Sequence, residues 1–183
     1  FSRRAAYLLE LFKNTLKEQY IILSVTLRLQ KKPIFRTTYG VLQKTLKAMN
    51  IQELSIKAIS NAVIHLRQSN LPDPTRLGNA GSFFKNPIIT QQRFEQLKHV
   101  RPNMPGYAQP EGQVKVPAAW LIEQCGWKGK KRGTVGVHQQ HALVLVNYGD
   151  GTGQDVYQLA QDIQQSVKDL FNIEITPEVN LIG

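Results

Sequence analysis

The stretch HALVLVNYGDGTGQDVYQLAQDIQQSVKDL, residues 141–170, determines the fold class. It opens with HALVLVN, an apolar run of strand length, and the turn YGDGTG follows directly. Thr152 and Asp155 then form a helix-capping pair. The residues after this pair repeat at helical spacing: Val156, Leu159, Ile163, Val167 and Leu170. The stretch therefore predicts a buried strand, a turn and an amphipathic helix in succession.

The rest of the chain also intersperses helices and strands. Alternation over residues 20–29 predicts a strand with one buried face, and residues 173–182 alternate loosely as a last strand. Helices are predicted at residues 41–49, after Ser55 with Ile56, Ile59, Val63 and Leu66, after Thr90 with Phe94 and Leu97, and at residues 118–125 before Gly126. We therefore predict an α+β chain of mixed helices and antiparallel sheet.

Composition is that of an ordinary globular protein, with 42% hydrophobic and 20% charged residues among 183. No apolar run approaches the roughly 20 residues that a membrane span requires, and no signal peptide is recognisable. Cys125 is the single cysteine, so no internal disulfide can form, which fits a reducing compartment. We expect a protein that does not associate with a membrane.

The net charge allows two interpretations. Lysine and arginine exceed aspartate and glutamate by 23 to 13, a formal +10, and the run WKGKKRG at residues 127–133 concentrates four cations. Such a balance suits a polyanion, either a nucleic acid or a phosphorylated small molecule. A solvated basic loop explains one short run more simply, and no nucleic-acid-binding motif supports the first interpretation.

Several common chemistries lack their motifs. The chain has no G-x-S-x-G, no P-loop, no H-E-x-x-H and no cysteine pair for zinc. His138 and His141 are three residues apart and could share a metal on a helix, but they lead into a strand. A polar turn explains them more simply, and we predict no metal site.

The composition of the stretch GNAGSFFKNP, residues 78–87, is typical of a binding loop. Small residues, adjacent aromatics and polar groups are compressed into ten positions, without the spacing of a core segment. A serine in such a loop can donate a proton if lysine or amide groups stabilise its alkoxide. Ser82 is the candidate, with Lys85 and Asn86 close by in sequence.

Seven ordered segments resemble the UDP-N-acetylenolpyruvoylglucosamine reductase family. They are VTLRL (25–29), TYGVL (38–42), LPDP (71–74), GNAGSFFKNP, AAWLIEQCGWKG (118–129), HALVLVN and the terminal PEV (177–179). The resemblance implies a bacterial, cytoplasmic, monomeric flavoenzyme of peptidoglycan precursor synthesis. In that family NADPH reduces FAD, the flavin gives hydride to the enolpyruvyl C3 of UDP-N-acetylglucosamine enolpyruvate, and a serine protonates C2 to give UDP-N-acetylmuramate.

The resemblance also implies roles for individual residues. Ser82 corresponds to the proton donor, and Glu178 to the carboxylic acid that helps stabilise the enol intermediate. The residues that correspond to substrate contacts are Tyr39, Asn86, Tyr107 and Lys115. Tyr107 lies in a long loop rich in proline and glycine, so it could fold over a nucleotide, although a surface anchor is the simpler interpretation of a loop tyrosine taken alone.

Three departures from the family pattern limit what the resemblance implies. The glycine-rich FAD-binding region has no counterpart, Leu8 stands where the family has a catalytic arginine, and Asn70 stands where a lysine commonly precedes LPD. We therefore expect a truncated reductase, with residues 1–70 a remnant of the FAD-binding domain, 71–172 a substrate-binding domain and 173–183 a return strand carrying Glu178. The alternative is a noncatalytic UDP-sugar or nucleic-acid binding module.

The return strand completes the flavin domain in the family, so its partners should be largely absent from this chain. We expect it either to pair with the predicted strand at residues 20–29 or to stay mobile, with Glu178 solvated.

Overall fold

The computed structural model describes residues 16, 19–21, 23–38 and 40–181. The chain divides into two compact units, Phe1–Arg36 and Thr37–Gly183. Tyr39, Leu8 and the predicted strand residues 22 and 182 lie outside the described residues.

The prediction of a strand at residues 20–29 is wrong for the residues described in that range. None of them is in a strand, and the expected buried face is exposed: Leu23 is 92% exposed, Val25 70% and Leu27 58%. A strand needs a hydrogen-bonding neighbour, and no sheet in the described part of the chain includes residues 23–29. Alternation of apolar and polar residues makes a segment suitable for a strand, but it does not show that a second strand lies beside it.

The second unit begins with two helices that pack together. Helix α1 spans Gly40–Ala48 and helix α2 spans Ile56–Asn70. Ser55 Oγ accepts a hydrogen bond from Ala58 N at 3.1 Å, which confirms the predicted cap. The contact face consists of Leu42, Leu46 and Ala62, with Ile51, Ile59 and Leu66 packed against them. Ile56 of the predicted apolar set is instead 66% exposed.

A four-stranded antiparallel sheet and two helices enclose the main core. The strand order is β1, β7, β6, β5, where β1 is Gly78–Ser82, β5 Lys131–Arg132, β6 Val135–Val137 and β7 Val144–Asn147. Two further helices are α4, Ala118–Gln124, and α5, Gly153–Phe171. Fully buried residues of α5 include Leu159, Ile163 and Val167, as its spacing predicts, whereas Leu170 is 43% exposed.

Helix α5 begins with the predicted capping box. Thr152 Oγ1 accepts a hydrogen bond from Asp155 N at 3.2 Å, and Asp155 Oδ2 accepts one from Thr152 N at 2.8 Å. These two bonds satisfy backbone donors that the first turn of a helix leaves free. The strand, turn and helix predicted for residues 141–170 are confirmed, with β7 beginning at Val144.

A three-stranded antiparallel sheet lies beside helix α3, Gln91–Val100. Its order is β2, β4, β3, where β2 is Ile88–Thr90, β3 Tyr107–Gln109 and β4 Gln113–Lys115. Helix α3, Gln91–Val100, follows β2 directly, and Thr90 Oγ1 accepts a hydrogen bond from Arg93 N at 3.2 Å. A Cβ on Gly106 would come within 2.5 Å of the Phe94 ring, so glycine lets β3 approach α3 closely.

The C-terminal segment differs from both expected arrangements. Phe84 and Pro177 form an antiparallel bridge, Lys85 N donates to Thr176 O at 2.9 Å, and Glu178 N donates to Phe83 O at 2.7 Å. The segment therefore pairs with the loop that follows β1. Ile173 and Ile175 are buried in the main core, so apolar burial fixes the approach to this bridge.

No helix in the described part of the chain is both long enough and apolar enough to cross a membrane. The prediction of an α+β fold with antiparallel sheets is confirmed.

Candidate functional site

Ser82 ends strand β1 immediately after a bulge. The β1–β7 pairing shifts between Asn79 and Ser82, and Gly81 takes a left-handed φ of 73° that favours glycine. Asn79 stabilises the bulge, because its Oδ1 accepts a hydrogen bond from Gly81 N at 3.0 Å and its Nδ2 donates to Leu77 O at 2.8 Å. Ser82 then pairs with Val144 and is exposed. The bulge thus presents the serine at the surface of the four-stranded sheet.

The two phenylalanines after Ser82 anchor the loop. Phe83 and Phe84 are 4% and 1% exposed, and their ring centroids lie 5.1 Å apart in an edge-to-face arrangement. Phe83 N also donates to Leu143 O at 2.8 Å. The adjacent aromatics that look anomalous in sequence therefore belong to the core, and the polar groups around them stay at the surface.

Glu178 reaches the serine loop through the C-terminal segment. Its backbone N–H bonds to Phe83 O, so the glutamate lies opposite the residue that follows Ser82. The Glu178 side chain is exposed, as is that of Lys85. The structure therefore brings the backbones of the two predicted catalytic residues together.

Asn86 has a structural contact within the chain. Its Oδ1 accepts a hydrogen bond from Ala118 N, the first residue of α4, at 2.9 Å. Pro117 at the N-cap of α4 has no side chain that could accept this bond. Because Asn86 otherwise lies at the surface, its amide can serve both the helix and a ligand.

Tyr107 and Lys115 are cross-strand neighbours. Tyr107 of β3 and Ile88 of β2 both pair with Lys115 of the central strand β4. Tyr107 is 62% exposed and Ile88 51% exposed, whereas Val114, the neighbour of Lys115, is only 3% exposed. Because side chains alternate across a strand, the tyrosine and lysine share the outer face. Of the four predicted substrate contacts, these two are adjacent, Asn86 lies just before β2, and Tyr39 is outside the described residues.

The cationic side chains of the basic run at residues 127–133 contact other side chains of the protein. Each of its four cations contacts another residue. Lys128 pairs with Glu123, Lys130 lies 4.3 Å from the Trp127 ring centroid, Lys131 lies 4.6 Å from that of Tyr148, and Arg132 pairs with Asp162. These contacts favour the interpretation of a solvated structural loop over that of a nucleic-acid surface.

The turn before β7 holds the two histidines. Nδ1 of His138 and of His141 is buried and makes no hydrogen bond with any residue that the structure describes. Burial, and secondarily the charge of His141, lower the pKa of His138, so its neutral form is favoured. No group of three or more potential ligands among the described residues could hold a metal ion.

Two grooves flank the β1 bulge and share Asn79 and Ala80. The first, about 860 Å³, is lined mainly by apolar residues of β1, β7, α5 and the C-terminal segment. The second, about 730 Å³, lies between the end of α2, the loop at residues 71–77 and the bulge, and we call it the arginine groove for Arg67 and Arg76. The sequence does not predict a groove at these arginines, because only the fold brings the end of α2 beside the bulge.

A family model identifies the class of protein to which this chain belongs. The model of the UDP-N-acetylenolpyruvoylglucosamine reductase C-terminal domain matches residues 73–182, which include Ser82, Asn86, Tyr107, Lys115 and Glu178. The molecule is thus the C-terminal domain of a reductase, preceded by further residues.

Curated relatives extend the match over nearly the whole chain. Proteins named UDP-N-acetylenolpyruvoylglucosamine reductase are 56% identical in Amoebophilus asiaticus, 50% in Flavobacterium johnsoniae and 46% in Porphyromonas gingivalis strain W83. The matches cover 94%, 94% and 98% of this chain, and 51%, 51% and 53% of the relatives. The chain belongs to the UDP-N-acetylenolpyruvoylglucosamine reductase family, and it spans about half the length of these relatives.

Proposed function

We propose that this chain is the substrate-binding half of a bacterial, cytoplasmic reductase of peptidoglycan precursor synthesis. The substrate is UDP-N-acetylglucosamine enolpyruvate, and NADPH is the reductant of the complete enzyme. The observation that carries the proposal is the shared outer face of Tyr107 and Lys115, with Asn86 beside it, next to the loop of Ser82. The division into residues 1–70, 71–172 and 173–183 is part of the proposal.

The outer face of the three-stranded sheet suits a nucleoside diphosphate. The Lys115 ammonium can bind phosphate oxygens, and Asn86 can donate through its side-chain amide. Tyr107 is exposed on an edge strand, where its ring can cover the ligand and its hydroxyl can bond to a phosphate. The UDP group would then bind at the three-stranded sheet, several residues after Ser82 in the chain.

Ser82 is proposed to donate the proton that the enolpyruvyl C2 gains. An exposed hydroxyl on a sheet-anchored bulge can face a ligand without disturbing the core. Glu178 is proposed to stabilise the charge that develops on the substrate beside this serine. Lys85, the residue directly after the bridge to the C-terminal segment, adds a cation to the same loop and favours the serine alkoxide.

The N-terminus of helix α5 does not fit a site for the FAD diphosphate. A helix N-terminus can bind such a group, and that of α5 lines the first groove at Gly153 and Gln154. However, the Asp155 carboxylate already accepts the Thr152 N–H there, and its negative charge would repel phosphate. We therefore assign FAD to the half of the family enzymes that this chain does not match, and expect the purified chain to show no flavin absorbance.

Titration calorimetry with UDP tests the binding site. The chain should bind UDP, and Lys115→Gln should weaken binding about tenfold, as loss of a charge-assisted hydrogen bond typically does. Lys44→Gln is the matched control, because Lys44 is an exposed lysine on α1 away from the sheet. Equal affinity in the Lys115 variant, or no binding by the wild-type chain at millimolar UDP, would refute the proposed site.

A further inference from the structure

The turn between β7 and α5 contains the single Asp-Gly step of the chain, Asp150–Gly151, and the sequence has no Asn-Gly step. Aspartate followed by glycine is prone to isomerise, because a glycine without a Cβ lets the next backbone nitrogen reach the aspartate carboxyl. The Asp150 side chain is exposed and makes no hydrogen bond or ion pair with another described residue. Sequence and exposure together therefore mark Asp150 as a site of chemical modification.

Isomerisation begins when the backbone nitrogen of Gly151 attacks Cγ of Asp150. A C–N bond forms, the C–OH bond of the carboxyl breaks, and one water leaves with that hydroxyl and the amide proton, which gives a five-membered succinimide ring. A second water then opens the ring. When this water adds at the backbone carbonyl carbon of Asp150, the bond from that carbon to Gly151 N breaks. The main chain then runs through Cγ, gains one methylene and carries a free α-carboxylate, which is isoaspartate.

The Asn147 side chain holds the attacking nitrogen away from this reaction. Asn147 Oδ1 accepts hydrogen bonds from Gly149 N at 3.0 Å and from Gly151 N at 3.1 Å, and Asn147 Nδ2 donates to Gly151 O at 2.5 Å. Attack on Cγ requires the Gly151 nitrogen to turn toward the Asp150 side chain, so its N–H must leave Asn147. The three bonds therefore oppose the first step of the reaction.

The surroundings of Gly151 leave little room for such a rotation. A Cβ on Gly151 would lie 2.7 Å from Val135 Cγ1 and 2.8 Å from Asn147 Oδ1, so the backbone is closely packed on that side. The turn is also anchored at both ends, by the pairing of Asn147 in β7 and by the capping box of Thr152 in α5. Local packing and hydrogen bonds thus act in the same direction.

We propose that Asp150–Gly151 is a latent site of isoaspartate formation that Asn147 keeps closed in the folded chain. The extra methylene of isoaspartate would move the start of α5 relative to β7. Gly153 and Gln154 at that start line the first groove, so the modification would change the shape of the groove. Asn147 therefore protects both the connection between β7 and α5 and the groove beside it.

Peptide mapping by mass spectrometry, with isoaspartate counted by a protein-isoaspartate methyltransferase, tests the proposal. During incubation in mildly acidic buffer, the wild-type chain should form isoaspartate at Asp150 much more slowly than the free peptide YGDGTG, residues 148–153. Asn147→Ala should raise the rate at least about tenfold, because loss of two or three modest hydrogen bonds changes an opening equilibrium by that order. Asn147→Ala combined with Asp150→Glu should form none at this position, because the glutamate ring has six members and closes far more slowly.

Asn86→Ala is the matched control, because it removes the Ala118 cap and destabilises the fold without touching this turn. Melting temperatures show which variants are folded, and wild type in urea gives the rate of the open chain. Should Asn147→Ala not fold, Asn147→Asp takes its place; it keeps an acceptor for both N–H groups and should react at an intermediate rate. The proposal is overturned if folded wild type reacts as fast as wild type in urea. It is also overturned if the folded Asn147 variant reacts at the wild-type rate, or if Asn86→Ala accelerates the reaction equally.

Discussion

Replacement of Asn86 by alanine should destabilise the fold through helix α4. Asn86 Oδ1 accepts the Ala118 N–H, and Ala118, Leu121 and Ile122 are all fully buried. Pro117 offers no side-chain substitute, so the variant leaves a buried donor without a partner. Loss of such a cap costs about 1–2 kcal/mol. For a chain of this size that corresponds to a fall of roughly 3–6 °C in melting temperature.

Two further variants separate this structural role from ligand binding. Asn86→Asp keeps an acceptor and adds a negative charge at a helix N-terminus, so it should melt near the wild-type temperature. The same charge should weaken UDP binding by repelling phosphate. Asn103→Ala, at an exposed position in a loop, controls for loss of an asparagine side chain. A melting temperature of Asn86→Ala within roughly 1 °C of wild type, or equal destabilisation of Asn86→Asp, would contradict the capping role of Asn86.

Three more changes test particular features. Ser82→Ala should alter the free energy of unfolding by less than about 0.5 kcal/mol, because the side chain is exposed; a large loss in urea denaturation would show that Ser82 is a cap. Gly106→Ala should cost about 1–3 kcal/mol, because its Cβ would meet the Phe94 ring, whereas Gly40→Ala, with no atom within 4 Å, should not. Hydrogen bonds from the capping residue Thr152 lower the pKa of the Asp155 carboxyl. The stabilisation that these bonds give to the fold is therefore present above about pH 4 and is lost as the pH falls through the folded-state pKa. Below about pH 4 the melting temperature should fall more steeply in wild type than in Asp155→Asn.

Local features of the fold could be predicted from sequence. Ser55, Thr90 and Thr152 cap helices as predicted, because each cap involves donors only three residues away. The face that a helix buries was less predictable. Ile56 is exposed and Ala62 is fully buried, because the position of α1 decides which side of α2 is covered.

Features that depend on distant residues could not be predicted from periodicity. Asn86 and Ala118 are 32 residues apart, and Tyr107 meets Lys115 only through the pairing of β3 with β4. Resemblance to a family selected these residues as substrate contacts, but it could not show that Asn86 also caps a helix. Arg67 and Arg76 had no motif, so only the folded arrangement identifies their groove.

The C-terminal segment shows how much of the proposed site one unit can assemble by itself. The sequence predicts that residues 173–182 either pair with residues 20–29 or stay mobile. They bury Ile173 and Ile175 in the main core and pair with the loop that carries Ser82. The buried phenylalanines of that loop fix one side of the bridge, and the buried isoleucines fix the approach to the other. The backbone positions of Ser82 and Glu178 are therefore set by the same core, so changes to that core should affect both residues together.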